Sequence, residues 1–322
     1  MATITDNPPA GVKANLELLR NDLNDKGIPA KKLEQTLLIA TWNLRAFGSL
    51  TASWQSKAKD SPKRDWHSVA CIAEIIKRFD IIAVQEVKAN LKALRDLLKL
   101  LGPDYSFIMT DVNLGDVGNG ERMAYIFDTR RVQLSGLACE LTIPDEFKTS
   151  ENNQFATKQF VRSPYAVSFK AGKKTFILVT MHLLYGDTSN DRIVELQGIA
   201  NWMSTMASDV YAYDQNVILL GDFNIDERGD ILYETFISKG LYVPDKLSDP
   251  KILRSIFDQD KYYDQIAWFN GADGIPQLSL EFVNGGYYPF TGVALANRTD
   301  IDKRDLSWMI SDHYPLWAEF KI

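Results

Sequence analysis

The sequence predicts an α/β fold of two packed β-sheets flanked by helices, with one domain over residues 36–322 preceded by a helical extension over residues 1–35. Three observations predict it. Helix-like and strand-like segments interleave from Thr36 onward, with neither a clean βαβ repeat nor a helix-only block. Several strand-like runs are short and apolar throughout, the pattern of strands buried on both faces. At least four of those runs end in an acid, an amide or an imidazole, so one end of the strands carries groups that need water or a cation.

Taken in order, Leu16, Leu18, Leu19 and Leu23 mark a short amphipathic helix over residues 15–23, ended by Gly27-Ile28-Pro29. Leu37-Leu38-Ile39-Ala40 is the first buried strand and runs into Asn43. A helix over about 65–79 presents Val69, Ala70, Ala73, Ile76 and Phe79 on one face. Ile81-Ile82-Ala83-Val84 is the second buried strand, ending in Gln85-Glu86, and a helix covers about 90–101. Strands follow over 122–127, 132–141, 165–170 and 175–181, with Lys170-Ala171-Gly172-Lys173 as the clearest turn. A helix over 191–208, the strand Val217-Ile218-Leu219-Leu220 and strands over 263–269 and 314–320 complete the domain. Two segments, 143–159 and 270–305, read as inserts; aromatics such as Tyr287, Tyr288 and Phe290 in the second are expected to pack the loop's own core.

Composition excludes several classes. With 322 residues, 45% hydrophobic and 24% charged, the chain can bury a large core without staples. Two cysteines, Cys71 and Cys139, are too few for a disulfide framework. No apolar run approaches the roughly 18 residues that span a bilayer. Residues 1–9 show no apolar segment behind a basic start, so the expected location is cytoplasmic. A net charge of −6 argues against coating nucleic acid through bulk charge, and is compatible with an enzyme that holds a few phosphates locally.

The chemistry lies at the strand ends: Asn43, Gln85-Glu86, His182 and Asp222-Phe223-Asn224, with Ser311-Asp312-His313 just before the last strand. Oxygen-rich clusters without cysteine suit Mg²⁺ or Mn²⁺ rather than zinc. Imidazoles among the acids can exchange a proton near neutral pH. Together these are the parts of metal-assisted phosphoryl chemistry. Each has a bland reading: Glu86 as a first-turn helix acid, Asp222-Phe223-Asn224 as a side-chain-closed turn, His182 as a satisfied core residue. His67 is read as a core or surface histidine.

Five segments, taken in order, resemble the endonuclease/exonuclease/phosphatase superfamily, and within it most closely deoxyribonuclease I. They are Thr41-Trp42-Asn43-Leu44, Ile82-Ala83-Val84-Gln85-Glu86-Val87, Gly221-Asp222-Phe223-Asn224, Tyr263-Asp264-Gln265-Ile266 and Ser311-Asp312-His313-Tyr314-Pro315. The resemblance spans about 36–322 and implies a four-layer α/β/β/α sandwich and a Mg²⁺-dependent phosphodiester hydrolase for which Mn²⁺ can substitute. It implies that Glu86 ligates the metal, completed or supported by Asn43 and Asp312, and that Asp222 and Asn224 orient the attacking water and hold phosphate oxygens. His313 paired with Asp264, and His182 paired with Glu121, would carry the protons.

The resemblance points to nucleic acid as substrate. Lys88 and Arg162 fall at positions that contact phosphate, and Lys57, Lys59, Lys63 and Arg64 form a basic loop able to track a backbone. Asn119 stands where deoxyribonuclease I has a groove-contacting tyrosine, which departs from that pattern. The alternatives are a phosphodiesterase or phosphatase acting on a phospholipid (sphingomyelinase-like), an inositol phosphate or a nucleotide. A catalytically silent binding protein on the same scaffold is a further, different class.

Overall fold

The computed structural model describes residues 3–25, 28–112, 120–142, 160–249, 254–258 and 260–322. The 143–159 insert and Asn119 lie outside the described residues. Two mixed six-stranded sheets face one another, with seven α-helices among the described residues. The first sheet has the order β11-β12-β1-β2-β4-β3 and the second β5-β6-β7-β8-β10-β9. In the first these are β1 (Thr36–Phe47), β2 (Ile81–Lys88), β3 (Tyr105–Met109), β4 (Glu121–Asp128), β11 (Glu281–Tyr287) and β12 (Leu316–Lys321). The second holds β5 (Gln133–Glu140), β6 (Tyr165–Ala171), β7 (Lys174–His182), β8 (Val217–Asp222), β9 (Leu241–Tyr242) and β10 (Asp264–Phe269).

Each sheet is built around one parallel pair, β1 with β2 and β7 with β8. The helices α2 (Trp66–Ile76) and α4 (Ser189–Ser208) make the crossovers that parallel strands require. Both pairs are buried on both faces, which is why they read as continuous apolar runs. Leu37, Ile39, Ile81 and Ala83 point into the core between the sheets, which also takes in α4. Their neighbours Leu38, Ala40, Trp42, Ile82 and Val84 pack outward against α1 (Ala10–Asp25), α2 and α3 (Lys92–Leu101). Two helix layers therefore enclose two sheets. The shorter α5 (Ile231–Ile237) and α6 (Asp245–Ser248) follow β8, and α7 (Lys303–Met309) precedes β12. None of the described helices is long and apolar enough to cross a membrane.

The helix α1 is wedded to the domain by one buried amide. Asn15 donates to the Val293 carbonyl at 2.9 Å, and its Oδ1 accepts from the Leu295 amide at 3.1 Å and faces His67 Nε2 at 2.8 Å. His67 is thus a core residue, donating through Nε2 because Asn15 Oδ1 already serves as an acceptor.

The 270–305 segment differs from its reading as an insert. Residues 281–287 form the edge strand β11 on β12, and 303–309 form α7. Tyr288 and Phe290 are fully buried in the main outer core with Trp42 and Phe257, rather than in a small core of their own. Gly285-Gly286 disguised the strand, since glycine weakens a strand pattern; a Cβ at Gly285 would sit 2.8 Å from the Trp317 carbonyl oxygen.

Candidate active site

Parallel pairing brings the polar strand ends together, because β1, β2, β7 and β8 deliver their carboxyl ends to one side of the molecule. Within the second sheet, His182 lies in register with Asp222, and Asp222 with Asp264, across three adjacent strands. Just below, Gln85 donates to Thr41 Oγ1 at 3.0 Å and to Thr180 Oγ1 at 2.9 Å, tying the two sheets beneath the cleft.

The backbone is strained where the polar residues sit. Of five non-glycine residues with positive φ among the described residues, three are Ala46 (46°), Glu86 (60°) and Asn224 (50°). The ladders of β1 on β2 and of β2 on β4 shift register beside Asn43 and Glu86. Such irregularities re-aim a side chain at a functional site, at a cost of order 1–3 kcal/mol for each strained residue. In Gly221-Asp222 the glycine is obligatory: φ is 151°, and a Cβ would fall 2.1 Å from the Met181 carbonyl oxygen.

Asp222 is the hub. Its Oδ1 accepts from the Asn224 amide at 3.1 Å and its Oδ2 from Asn43 Nδ2 at 2.9 Å. The same Oδ2 lies 3.8 Å from His182 Nε2 and 3.8 Å from His313 Nε2. A second carboxylate stands behind each ring: His313 Nδ1 hydrogen-bonds Asp264 Oδ2 at 2.8 Å, and His182 Nδ1 lies 3.1 Å from Glu121 Oε2 without hydrogen-bond alignment. The Asp264 bond fixes the orientation and tautomer of the His313 ring. Trp42 Nε1 donates to the His313 carbonyl at 2.8 Å, and Ser311 Oγ donates to the Asn43 carbonyl at 2.5 Å, which locks the β1 motif to the His313 motif.

Charge differs around the two rings. Burial pushes the His313 imidazolium down, but Asp264 and Asp222 outweigh it and lift it to about 10. Burial pushes the Glu121 carboxyl up, and His182, Arg162 and Lys88 overcome it to hold it at about 2. Asp222 likewise stays below its ordinary value: burial opposes this, and both imidazoles and the Asn43 amide enforce it.

The structure brings together Asn43, Glu86, Glu121, His182, Asp222, Asn224, Asp264 and His313. Asn43 Nδ2 donates to Glu86 Oε1 at 3.1 Å, and the Ala46 amide donates to Glu86 Oε2 at 2.8 Å. Asn43 Oδ1 is buried and without a hydrogen-bond partner, a hard oxygen on the same amide whose Nδ2 reaches Glu86 and Asp222. That donor set fits a magnesium-type cation, which binds through one or two carboxylates and completes its shell with water and substrate phosphate. No group of three or more His, Cys, Asp or Glu side chains arranged to hold a metal occurs among the described residues. Asp312 accepts from Arg45 through Oδ2 at 2.7 Å.

Both expected phosphate-contacting cations lean on Glu121. Lys88, its ladder partner, reaches Oε1 at 2.6 Å, and Arg162 Nε lies 3.1 Å from Oε2. Arg64 does not belong to the basic surface loop. It is 2% exposed and donates to the carbonyls of Arg45, Ala46, Met309 and Ile310. It is therefore a positioning residue that clamps the turn beside Glu86 to the turn before His313. Nothing in its basic neighbourhood of Lys57, Lys59 and Lys63 distinguishes it in sequence; only its place directly before the helix-capping Asp65 hints at burial.

Fold and site together define a four-layer α/β/β/α protein whose cleft pairs two carboxylate-backed imidazoles across a single aspartate. The chain belongs to the endonuclease/exonuclease/phosphatase family, whose model matches residues 40–313. It is 29% identical over 199 residues to a deoxyribonuclease of Thioalkalivibrio sp. (strain K90mix), covering 60% of this chain and 48% of that protein. The match therefore spans about half the length of that relative. It is 24% identical to bovine deoxyribonuclease-1 over 88% of this chain and 92% of that protein. Among solved structures, a Bacteroides thetaiotaomicron mannosyl-6-phosphatase superposes with a TM-score of 0.57 at 18% identity, covering 88% of this chain and 99% of the other.

Proposed function

We propose that the protein is a Mg²⁺-dependent phosphodiester hydrolase that cleaves DNA endonucleolytically. The observation that carries the reading is the pair of imidazole Nε2 atoms facing one Asp222 oxygen at 3.8 Å each. A phosphodiester bound between them meets a proton carrier on each side. Likeness to two deoxyribonucleases, one over most of its length, favours DNA.

Asp222 and Asn224 hold the attacking water, and one imidazole takes its proton as oxygen bonds to phosphorus. The P–O bond to the leaving group breaks in line, and the other imidazole delivers a proton to that departing oxygen. Asp264 holds the His313 ring in the tautomer that presents Nε2 to the reaction, and Glu121 stands behind the His182 ring. Glu86 and Asn43 Oδ1 would hold the metal ion, which supplies charge neutralisation at the phosphoryl oxygens.

A panel of plasmid DNA, single-stranded DNA, RNA, sphingomyelin, inositol phosphates and bis(p-nitrophenyl) phosphate tests this. The expected outcome is nicking of plasmid in Mg²⁺ or Mn²⁺, abolished by EDTA and greatly weakened in Glu86→Gln. Full turnover in chelator, or hydrolysis of a lipid or inositol phosphate with DNA untouched, overturns it.

A further inference from the structure

Beside the metal-binding turn lies a cleft that the chemistry above does not use. It has a volume of about 440 Å³ and is lined by Ala46, Ser49, Lys63, Lys88, Asn90 and Trp308, among others. Its inner end touches the catalytic site, because the Ala46 amide donates to Glu86 Oε2 and Lys88 lies two residues beyond Glu86. Gly48 keeps the cleft floor close to Lys88: a Cβ there would meet Lys88 Cβ at 2.9 Å.

Trp308 forms the outer wall. It projects from α7 and is 43% exposed, against the usual tendency of a ring this large to be mostly covered. The Arg45 guanidinium lies 4.1 Å from its ring centroid and is itself fixed by Asp312 at 2.7 Å and Ser307 at 3.0 Å. Arg45 lines the neighbouring depression, with Asp258, Lys303 and Asp312, while Trp308 lines this one. Trp308 thus stands between the two depressions, with Arg45 pinned over its ring and the residue itself lining the cleft. Lys63 lines the same cleft; its Nζ bonds the carbonyl oxygens of Lys57 at 3.3 Å and Ala58 at 2.8 Å, and its charge also acts on Asp300.

We propose that this cleft binds an unpaired nucleotide of the substrate strand, its base stacked on Trp308 and its phosphate held by Lys63 with Lys88. The inference deepens the nuclease reading and rests on it. A pinned aromatic wall in a cleft that lysines also line is the kind of site that binds single-stranded nucleic acid by stacking and charge. A base inside a duplex already has both faces stacked, so only an unstacked one can use the wall. The volume suits one small-molecule-sized group and is far too small for a helix. The substrate favoured by this subsite is therefore single-stranded DNA, or duplex with a frayed or gapped strand.

The test measures binding and turnover separately on the full-length protein. Fluorescence anisotropy of a thymidylate octamer in EDTA gives Kd without cleavage, and a fully paired hairpin is the control. Trp308→Ala should raise Kd for the octamer about tenfold and leave the hairpin unchanged, and Trp308→Phe should stay within about threefold of wild type. Lys63→Gln should raise both about threefold and flatten the salt dependence. In Mg²⁺, the ratio of kcat/KM on the octamer to that on bis(p-nitrophenyl) phosphate should fall about tenfold in Trp308→Ala. Equal weakening of octamer and hairpin, or no change in either, overturns the stacking subsite; so does a loss seen only in Lys63→Gln. Trp308-dependent binding of an octamer that is never cleaved would sink the nuclease reading and leave the subsite standing. Cleavage unaffected by Trp308→Ala would do the reverse.

Discussion

The two imidazole–carboxylate pairs differ in geometry and in electrical setting: His313 Nδ1 hydrogen-bonds Asp264 at 2.8 Å, whereas His182 Nδ1 lies 3.1 Å from Glu121 without hydrogen-bond alignment. His313 and Asp264 sit in the depth of the cleft, Asp264 fully buried, and Asp222 acts on both of them. That pair is an island of negative charge around one ring, which is why His313 is held protonated well above neutrality. His182 also faces Asp222 and a second carboxylate, but that carboxylate is shared with Lys88 and Arg162. Glu121 is held low by three basic partners, His182, Arg162 and Lys88. The two rings therefore sit in different surroundings, His313 between two carboxylates and His182 against one that is shared with two further cations.

The largest effect expected is the loss of either ring. His313→Ala and His182→Ala should each lower kcat about 10²–10⁴-fold, and the double variant should cost less than the product of the two. Stability should separate them. Removing His313 strands a buried Asp264 carboxylate without its cation, a change that costs a protein heavily. Removing His182 leaves Glu121 with two cations. Melting temperature should therefore fall clearly in His313→Ala and little in His182→Ala, and Asp264→Asn added to His313→Ala should recover it. Equal losses of stability in the two single variants would erase the distinction between the pairs.

Asp264→Asn and Glu121→Gln sharpen the same contrast at the next level. Asp264→Asn spoils ring orientation and charge at His313, so kcat should drop about 10²-fold with KM nearly unchanged. Glu121→Gln releases Lys88 and Arg162 from their shared anion. Substrate phosphate should then bind more tightly, so KM should fall along with a smaller loss of kcat. Steady-state kinetics on one oligonucleotide at several salt concentrations reads both, and a rise of KM in Glu121→Gln would contradict the shared-carboxylate picture.

How far the sequence revealed this depends on which physical signal each residue leaves. Strand ends such as Asn43, Glu86, His182 and Asp222 were legible because a polar residue at the end of a fully apolar run is conspicuous. The pairing of His313 with Asp264 followed from the family resemblance, and the register of β8 on β10 supplies its physical reason. The strain at Glu86 and Asn224 was invisible, since nothing in a side chain announces a positive φ. Arg64 was read as surface charge because its sequence neighbours are lysines, whereas its partners are carbonyls brought from residues 45–46 and 309–310 by the fold. Both histidines were expected at an exposed rim; each is only 8% exposed, packed among partners on three strands, Glu121 on β4, Asp222 on β8 and Asp264 on β10.

The third histidine gives the smallest effect on turnover, and it completes the comparison. His67 is as buried as His182 and His313 but faces an amide, Asn15, where they face carboxylates. Burial drives its imidazolium down from an ordinary 6.5 to about 4, with Arg298 adding to the push and Asp65 opposing it. The folded ring stays neutral where the unfolded ring takes a proton. Stability should therefore be fully present above pH 6.5, decline as pH falls from 6.5 toward 4, and level off below. The whole decline, between 6.5 and about 4 at about 1.36 kcal/mol per pH unit, is worth on the order of 3 kcal/mol. His67→Gln keeps a neutral donor to Asn15 Oδ1 and cannot titrate, so its urea midpoint should change less than wild type's over that pH range. Its kcat at neutral pH should match wild type. An unchanged pH profile in His67→Gln would assign the acid sensitivity to other groups, and a loss of kcat would place His67 in communication with the cleft through α2 and the β1 motif.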